Sequence, residues 1–225
     1  DWRWFSGVNL QHSDYRNNTQ IAALNASYST DINFMKYGAF SNLSAPLNEK
    51  LELSVGFRLD SDSFTSSTLT DNFSPRASLS YAINPKLKLS TSAGRYYKIL
   101  PYTALGYQDN GVFVNAESSY TQSDHLVLGV QYYSSPSTLF SVEAFSKRYS
   151  NYPVSIVDQV SLANKGAGFE VLGNEALNTN GRGRAYGIEL LFQQKLTNRF
   201  YGIFSYTFFH SQFSGLNDQT YRRSV

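Results

Sequence analysis

Few residues in this chain have types and spacings that could do chemistry. The candidate metal ligands or general bases are three histidines, His12, His125 and His210. A zinc or metalloprotease site places them close in sequence, as in H-x-x-x-H or H-E-x-x-H. Here they fall on three separate segments, so side chains that are solvated or face an interior channel are the expectation. With no cysteine, neither a disulfide framework nor a thiolate metal site is possible in this chain. Gly181-Arg182-Gly183-Arg184 is glycine-rich but lacks P-loop or Rossmann spacing and reads as a flexible loop end. Glu143 and Glu189 are more informative. They lie on adjacent predicted strands, at similar distances from a long loop at 149–181, and both point to the polar side. Two carboxylates at one level repel unless countered. No acid, base and nucleophile converge, so no catalytic residue, metal or cofactor is expected.

The elements that must position these groups alternate with period two. At 51–60, Leu51, Leu53, Val55, Phe57 and Leu59 share one face, and Glu52, Ser54, Gly56, Arg58 and Asp60 share the other. The pattern recurs around Trp4–Gln11, 76–81, 87–93, 125–132, 138–148, 184–195 and 200–210, with Val127 out of phase and a weaker strand at 37–45. That makes about nine strands, each near the roughly 9–11 residues that cross a bilayer at a tilt. Tight turns fall at Leu47-Asn48-Glu49-Lys50, Asn84-Pro85, Ser134-Ser135-Pro136-Ser137 and Leu196-Thr197-Asn198. Long connections fall at 13–36, 61–72, 97–123 and 149–181. Short and long connections therefore alternate strictly.

Composition points the same way. Charged residues make up 16% of the chain and aromatics 16%, while mean hydropathy is −0.35 and no stretch approaches a membrane helix. Net charge is +2 with no Lys/Arg run, which gives no footprint for nucleic acid. A soluble antiparallel sheet with one buried face shows the same alternation. It does not explain loops sorted by length, or strands longer than the soluble average of about 5–6 residues. A bacterial outer-membrane barrel explains both, with short periplasmic turns and long outer loops. The expected fold is an all-β antiparallel transmembrane barrel segment, lipid-facing on the Leu51–Leu59 side and lumen-facing at Glu52, Ser54 and Arg58. Trp2, Trp4, Tyr81, Tyr96, Tyr97, Tyr132, Tyr133, Tyr149 and Tyr186 lie near strand ends, where interfacial girdles would form.

Several strings resemble the barrel of TonB-dependent outer-membrane receptors. They are Val55-Gly56-Phe57-Arg58-Leu59-Asp60, Ser74-Pro75-Arg76-Ala77-Ser78-Leu79-Ser80-Tyr81, Gly94-Arg95-Tyr96-Tyr97 with Pro101, Leu128-Gly129-Val130-Gln131-Tyr132, Gly181–Leu190 and Ser205-Tyr206-Thr207. Val127 stands where the family usually has Glu. The likeness covers most of 37–225. The family's barrel has 22 strands, so residues 1–225 resemble an internal part of one, without the plug domain or the final strands. Tyr221–Val225 looks like the lead into an extracellular stretch before a further strand. An odd count of about nine strands also predicts an open sheet, with first and last strands not joined to each other.

The resemblance implies a receptor and transporter in the outer membrane of a Gram-negative bacterium. It would take up a scarce nutrient, such as a siderophore, cobalamin, glycan or peptide. Its implied partners are outer-membrane lipid, its own plug domain, a TonB-type energy-coupling protein and the small nutrient ligand. Ligand contacts would come from the loops at 97–123 and 149–181, where Tyr102, Tyr107, Asn110, Asn115 and Tyr152 offer stacking surface and hydrogen bonds. Glu143 and Glu189 would pair with plug arginines. A passive porin or structural barrel, and a soluble β-sandwich binding module, are the alternatives.

Overall fold

The computed structural model describes residues 1–21, 26–165, 174–197, 199–217 and 219–224, with the backbone alone at residues 19, 21 and 26–28. Ten strands form one antiparallel sheet: β1 (Arg3–Ile21), β2 (Ala26–Pro46), β3 (Leu51–Asp62), β4 (Ser74–Asn84), β5 (Leu87–Lys98), β8 (Thr121–Ser135), β9 (Thr138–Ser155), β10 (Leu177–Thr197), β11 (Phe200–Ser214) and β12 (Tyr221–Arg223). Each pairs with its neighbour in sequence order. A small ribbon, β6 (Gln108–Asp109) with β7 (Val112–Phe113), and a one-turn helix, α1 (Tyr102–Leu105), lie between β5 and β8. The sheet is open: among the described residues β1 bonds only to β2 and β12 only to β11.

Register carries the alternation across the whole sheet. One rung runs Trp4, Leu43, Val55, Ala77, Ala93, Leu126, Ser146, Tyr186, His210. Two positions away along the strands runs Leu53, Leu79, Thr91, Leu128, Ala144, Ile188, Phe208, and then Leu51, Tyr81, Leu89, Val130, Val142, Leu190, Tyr206. Among the described residues no second sheet covers this face. Val8 is 85% exposed, Leu128 55% and Phe208 67%. An apolar surface of this size is unfavourable in water and is what a bilayer solvates. Among the described residues no helix is long and apolar enough to cross a membrane, so the strands do the crossing. The intervening rung, Glu52, Ser80, Ser90, Gly129, Glu143, Glu189, Thr207, lies on the opposite, inner face. There Arg58 forks onto Asp60 at 2.6 Å for both bonds and reaches Asn9, and Asn42, Ser44 and Ser54 bond one another. Val127, out of phase in the sequence, keeps strand geometry and puts an apolar side chain inside, level with Phe145 and Phe209.

The tight turns follow from their residues. Asn84 Oδ1 accepts from the amides of Lys86 and Leu87 around Pro85, and Asn48 Oδ1 accepts from Lys50. Ser135 Oγ accepts from the Ser137 amide. Of the Leu196–Asn198 turn, Thr197 still belongs to β10 and Asn198 lies outside the described residues.

The structure corrects several boundaries. Residues 13–36 are not a long loop. β1 and β2 continue through them as a ladder from Arg3↔Ser44 to Ile21↔Ala26, roughly 60 Å long at the usual rise and twice a bilayer core. Polar residues there obscure the alternation because the upper part of this hairpin stands beyond lipid and needs no apolar face. The weak strand at 37–45 is the membrane part of β2. The 149–181 connection shrinks to 156–176 for the same reason, and residues 166–173 of it lie outside the described residues. Tyr221–Arg223 forms a strand paired with β11 rather than a loop, and Val225 lies outside the described residues. Of the girdle aromatics, Tyr96, Tyr133 and Tyr149 share the inner parity, and the rest named above that lie in strands face outward. Nine long strands are present as expected, but they run 11–21 residues rather than 9–11.

Candidate functional site

All long connections lie at one end of the sheet, and there they build a cap. The inner face of the tall β1–β2 hairpin presents Ser13, Tyr15, Thr30, Ile32, Phe34 and Lys36. The segment after β5 folds back onto it. Ile32, Phe34, Leu100, Ala104, Leu105, Leu162 and Leu177 form a buried apolar cluster, with Tyr15, Phe64, Tyr102 and Phe113 packed against it. Thr30 Oγ1 donates to the Gly106 carbonyl at 2.6 Å, and a Cβ at Gly106 would collide with that hydroxyl. The hydrophobic cluster of this chain therefore sits in the cap, since the barrel wall has lipid on its apolar side.

Tyr102 is held from three sides. Its hydroxyl accepts from Lys36 Nζ at 2.6 Å and contacts Ser13 Oγ at 3.2 Å, and its ring meets Tyr15 and Phe34 edge-on. Desolvation raises its pKa, but the Lys36 and Ser13 bonds outweigh this and lower it. Asn115 is 1% exposed. Its amide nitrogen donates to the Ala104 and Glu175 carbonyls, both at 2.8 Å, and its oxygen accepts from the Leu177 amide at 2.9 Å. All its polar atoms are used in joining the loop after β5 to the loop after β9. Asn110 stands at the exposed tip of the β6–β7 ribbon, where Asn110 and Gly111 both have positive φ, 50° and 79°. An Asn-Gly pair meets that demand of a two-residue hairpin with little strain. Tyr107 is half-buried beside it. Tyr152 lies apart, stacked on Phe213 at 4.5 Å and near Tyr149, with burial raising its pKa. Thus Tyr102, Tyr107, Asn110 and Asn115 share the cap while Tyr152 belongs to a neighbouring aromatic cluster.

A second clamp closes the cap from below. Asp62, 3% exposed, accepts from the amides of Phe64 and Thr65, from Thr65 Oγ1 and from the Tyr120 hydroxyl, each at 2.7 Å. Burial, reinforced by Asp62, pushes the Tyr120 phenol far up and keeps it protonated. Lys165 bridges Asp158 and Glu175 at 2.5 Å each, and Ser155 donates to Glu175. Sequence reasoning missed Ser13, Tyr15, Phe34 and Lys36 because they fell in a supposed loop. It also missed the exposed cap apolars Val112, Val114, Ile156 and Val157, whose exposure is a tertiary fact.

In the wall, Glu143 and Glu189 are direct cross-strand partners on the inner face, with Gly129 next on the same rung. Neither forms an ion pair among the described residues. His125 is also inner-facing, 2.6 Å from Ser123 Oγ and stacked near Tyr96, whereas His12 and His210 lie on the outer parity. Among the described residues no three His, Cys, Asp or Glu side chains come together as a metal site.

An apolar outer wall, a polar lumen and a loop cap on one rim are the parts of a receptor barrel. The family profile described as "TonB dependent receptor-like, beta-barrel" matches residues 1–223. The chain belongs to this family. Its place is the outer membrane of a Gram-negative bacterium, and the family and its structural neighbours are receptors and transporters rather than enzymes. Solved structures share the fold at low identity. The outer-membrane transporter YddB from Escherichia coli aligns at TM-score 0.64 and 12% identity over 94% of this chain and 31% of its own. The copper transporter OprC aligns at 0.66 and 16% over 96% and 35%. The pyoverdine receptor FpvA from Pseudomonas aeruginosa PAO1, bound to pyoverdine, aligns at 0.61 and 11% over 88% and 27%. This TonB-dependent receptor chain thus spans about a third of the length of these structures. No curated protein matches it in sequence.

Proposed function

We propose that this chain is the cap-bearing part of a receptor that takes up a scarce nutrient with energy supplied from the inner membrane. The observation that carries the reading is the inward-folded cap. A loop folded over the lumen narrows a passive route and offers a landing surface, and here α1 and the loop after β5 are docked on the lumen side of the β1–β2 hairpin by Thr30, Lys36 and the apolar cluster. In this reading a siderophore, cobalamin, glycan or peptide lands on the cap surface. Tyr107, Asn110 and the exposed Val112, Val114, Ile156 and Val157 offer stacking and apolar contact there. Tyr102 and Asn115 shape that surface from beneath, and Tyr152 flanks it.

Below the cap, Glu143 and Glu189 face each other across one rung. Two carboxylates so placed repel in the absence of a cation. In the proposal, arginines of a plug domain in the lumen supply it. A TonB-type partner then moves the plug, and the barrel wall stays fixed.

The test is uptake by whole cells of labelled ferric siderophores, cobalamin, oligosaccharides and peptides, with and without the energy-coupling partner. Saturable uptake of one class that vanishes without the partner is expected. Uptake that persists without it, rising linearly with concentration, would favour the passive porin instead.

A further inference from the structure

We propose that the rim holds a pocket for one ring of a neutral saccharide. The proposal rests on the reading of the chain as a nutrient receptor and makes a sugar-bearing ligand its substrate class. The loop after β3 and the segment leading into β8 line a cavity of about 260 Å³, with Asn151 of β9 also in its wall. Sites for drug-sized ligands run to roughly 300–1,000 Å³, so this one admits a single ring rather than a whole macrocycle. Its lining is mostly hydroxyl, amide and carboxylate, and no lysine, arginine or histidine is among the described residues that form it. Asp71 and Glu117 therefore make it a place that repels anions.

The polar atoms are fixed in place and left open. Asp71 Oδ2 accepts from the amide and the hydroxyl of Thr68 at 2.8 and 2.7 Å, which orients the carboxylate, holds it ionised and leaves Oδ1 for a ligand. Asn72 is 1% exposed. Its amide nitrogen donates to the Asp60 carbonyl and to Ser67 Oγ, both at 3.0 Å, so its oxygen remains as an acceptor. Among the described residues Glu117 forms no ion pair, and the Ser118 and Ser119 hydroxyls form no hydrogen bond. Tyr97 adds a half-buried ring whose hydroxyl is anchored on Gln122 at 3.1 Å. Three acceptors that donate nothing call for a ligand rich in O–H donors, and the tyrosine ring calls for an apolar face beside them. A sugar ring carries both. A phosphate or carboxylate would meet two like charges, and a bare divalent cation would make no use of the ring.

The experiment measures binding to the full-length receptor, purified in a detergent without a sugar headgroup, by saturation-transfer NMR. The probes are the methyl glycosides of glucose, galactose, mannose and N-acetylglucosamine, with glucuronate as the anionic counterpart and calcium chloride as the bare cation. Saturable binding of at least one glycoside is expected, with glucuronate weaker by about tenfold or more. D71N/E117Q should weaken the glycoside by about tenfold or more, the worth of a lost charge-assisted hydrogen bond. S66W fills the pocket from an exposed position and should abolish binding. D14N/E49Q removes the same charge elsewhere and should change nothing. Unaltered hydrogen exchange in the wall strands shows that each variant is folded. Binding of none of the glycosides, a response to calcium alone, equal binding of glucuronate, or full affinity in both D71N/E117Q and S66W would each overturn the proposal. The assay contains no energy-coupling partner, so energised uptake and this pocket stand or fall separately.

Discussion

Asn115 ties two loops together through three backbone bonds, and its removal is a sharp test of the cap. Replacing it with Ala leaves the Ala104 and Glu175 carbonyls and the Leu177 amide without their partner. At a net worth of about 1 kcal/mol per bond, local opening of the cap should become easier by about 3 kcal/mol, or roughly 100-fold in its equilibrium constant. Asn115→Asp should be worse than Ala despite its matching shape. The carboxylate still accepts from Leu177, but it turns two donors into an anion facing two carbonyls. Hydrogen exchange followed by mass spectrometry reads this directly. Peptides covering 99–116 and 174–178 should exchange about 100-fold faster, while those from β3, β4 and β5 stay unchanged. Unchanged exchange at Leu177 in both variants would refute the idea that this side chain joins the loops. Acceleration through the wall strands would show that cap and wall open as one unit.

Further outcomes follow from the wall and from titration. Val55→Arg places a charge on the lipid face and should cost roughly 2–4 kcal/mol in urea unfolding from lipid vesicles, while the inner-facing Ser92→Arg should cost far less. Proteases added to intact cells should cut within 99–120 or 156–176 and spare Asn84-Pro85; the reverse pattern would invert the topology. Tyr120 has a folded pKa above its unfolded value of about 10. Its contribution to cap stability is therefore complete below about pH 10 and lost as pH rises further, so cap exchange should accelerate above pH 10 and Tyr120→Phe should flatten that rise. If plug arginines pair with these carboxylates as proposed, Glu143→Gln with Glu189→Gln should increase single-channel conductance and leave cap exchange unaltered.

How much the sequence disclosed depended on which medium each segment faces. Where lipid lies on one side and water on the other, the period-two signal of 51–60 or 200–210 is unambiguous, and it placed faces and neighbours correctly. The adjacency of Glu143 and Glu189 was legible for that reason: strand order, turn length and parity suffice to set them opposite. In the upper β1–β2 hairpin water surrounds much of the ladder, so its sequence carries no alternation and reads as loop. The cap depended on contacts 60–90 residues apart, such as Thr30 with Gly106, Ser13 with Tyr102 and Asn115 with Glu175. No local pattern encodes these. Asn115 looked like a ligand amide because type and loop position were visible and burial was not.

The parity of the rungs, kept through the wall with register shifts only toward the strand ends, has a genetic consequence. Side chains along a strand read as two interleaved channels, and one residue added or deleted between two turns swaps the channels for everything beyond it in that strand. Single-codon insertions within β3 or β8 should thus be nearly as damaging as frameshifts, whereas paired insertions preserve phase and merely lengthen the wall. Connections above the rim carry no phase at all. Length variation among descendants of this gene should therefore concentrate at 63–73, 99–120, 156–176 and 215–220, with indels inside the strands appearing, if at all, in multiples of two.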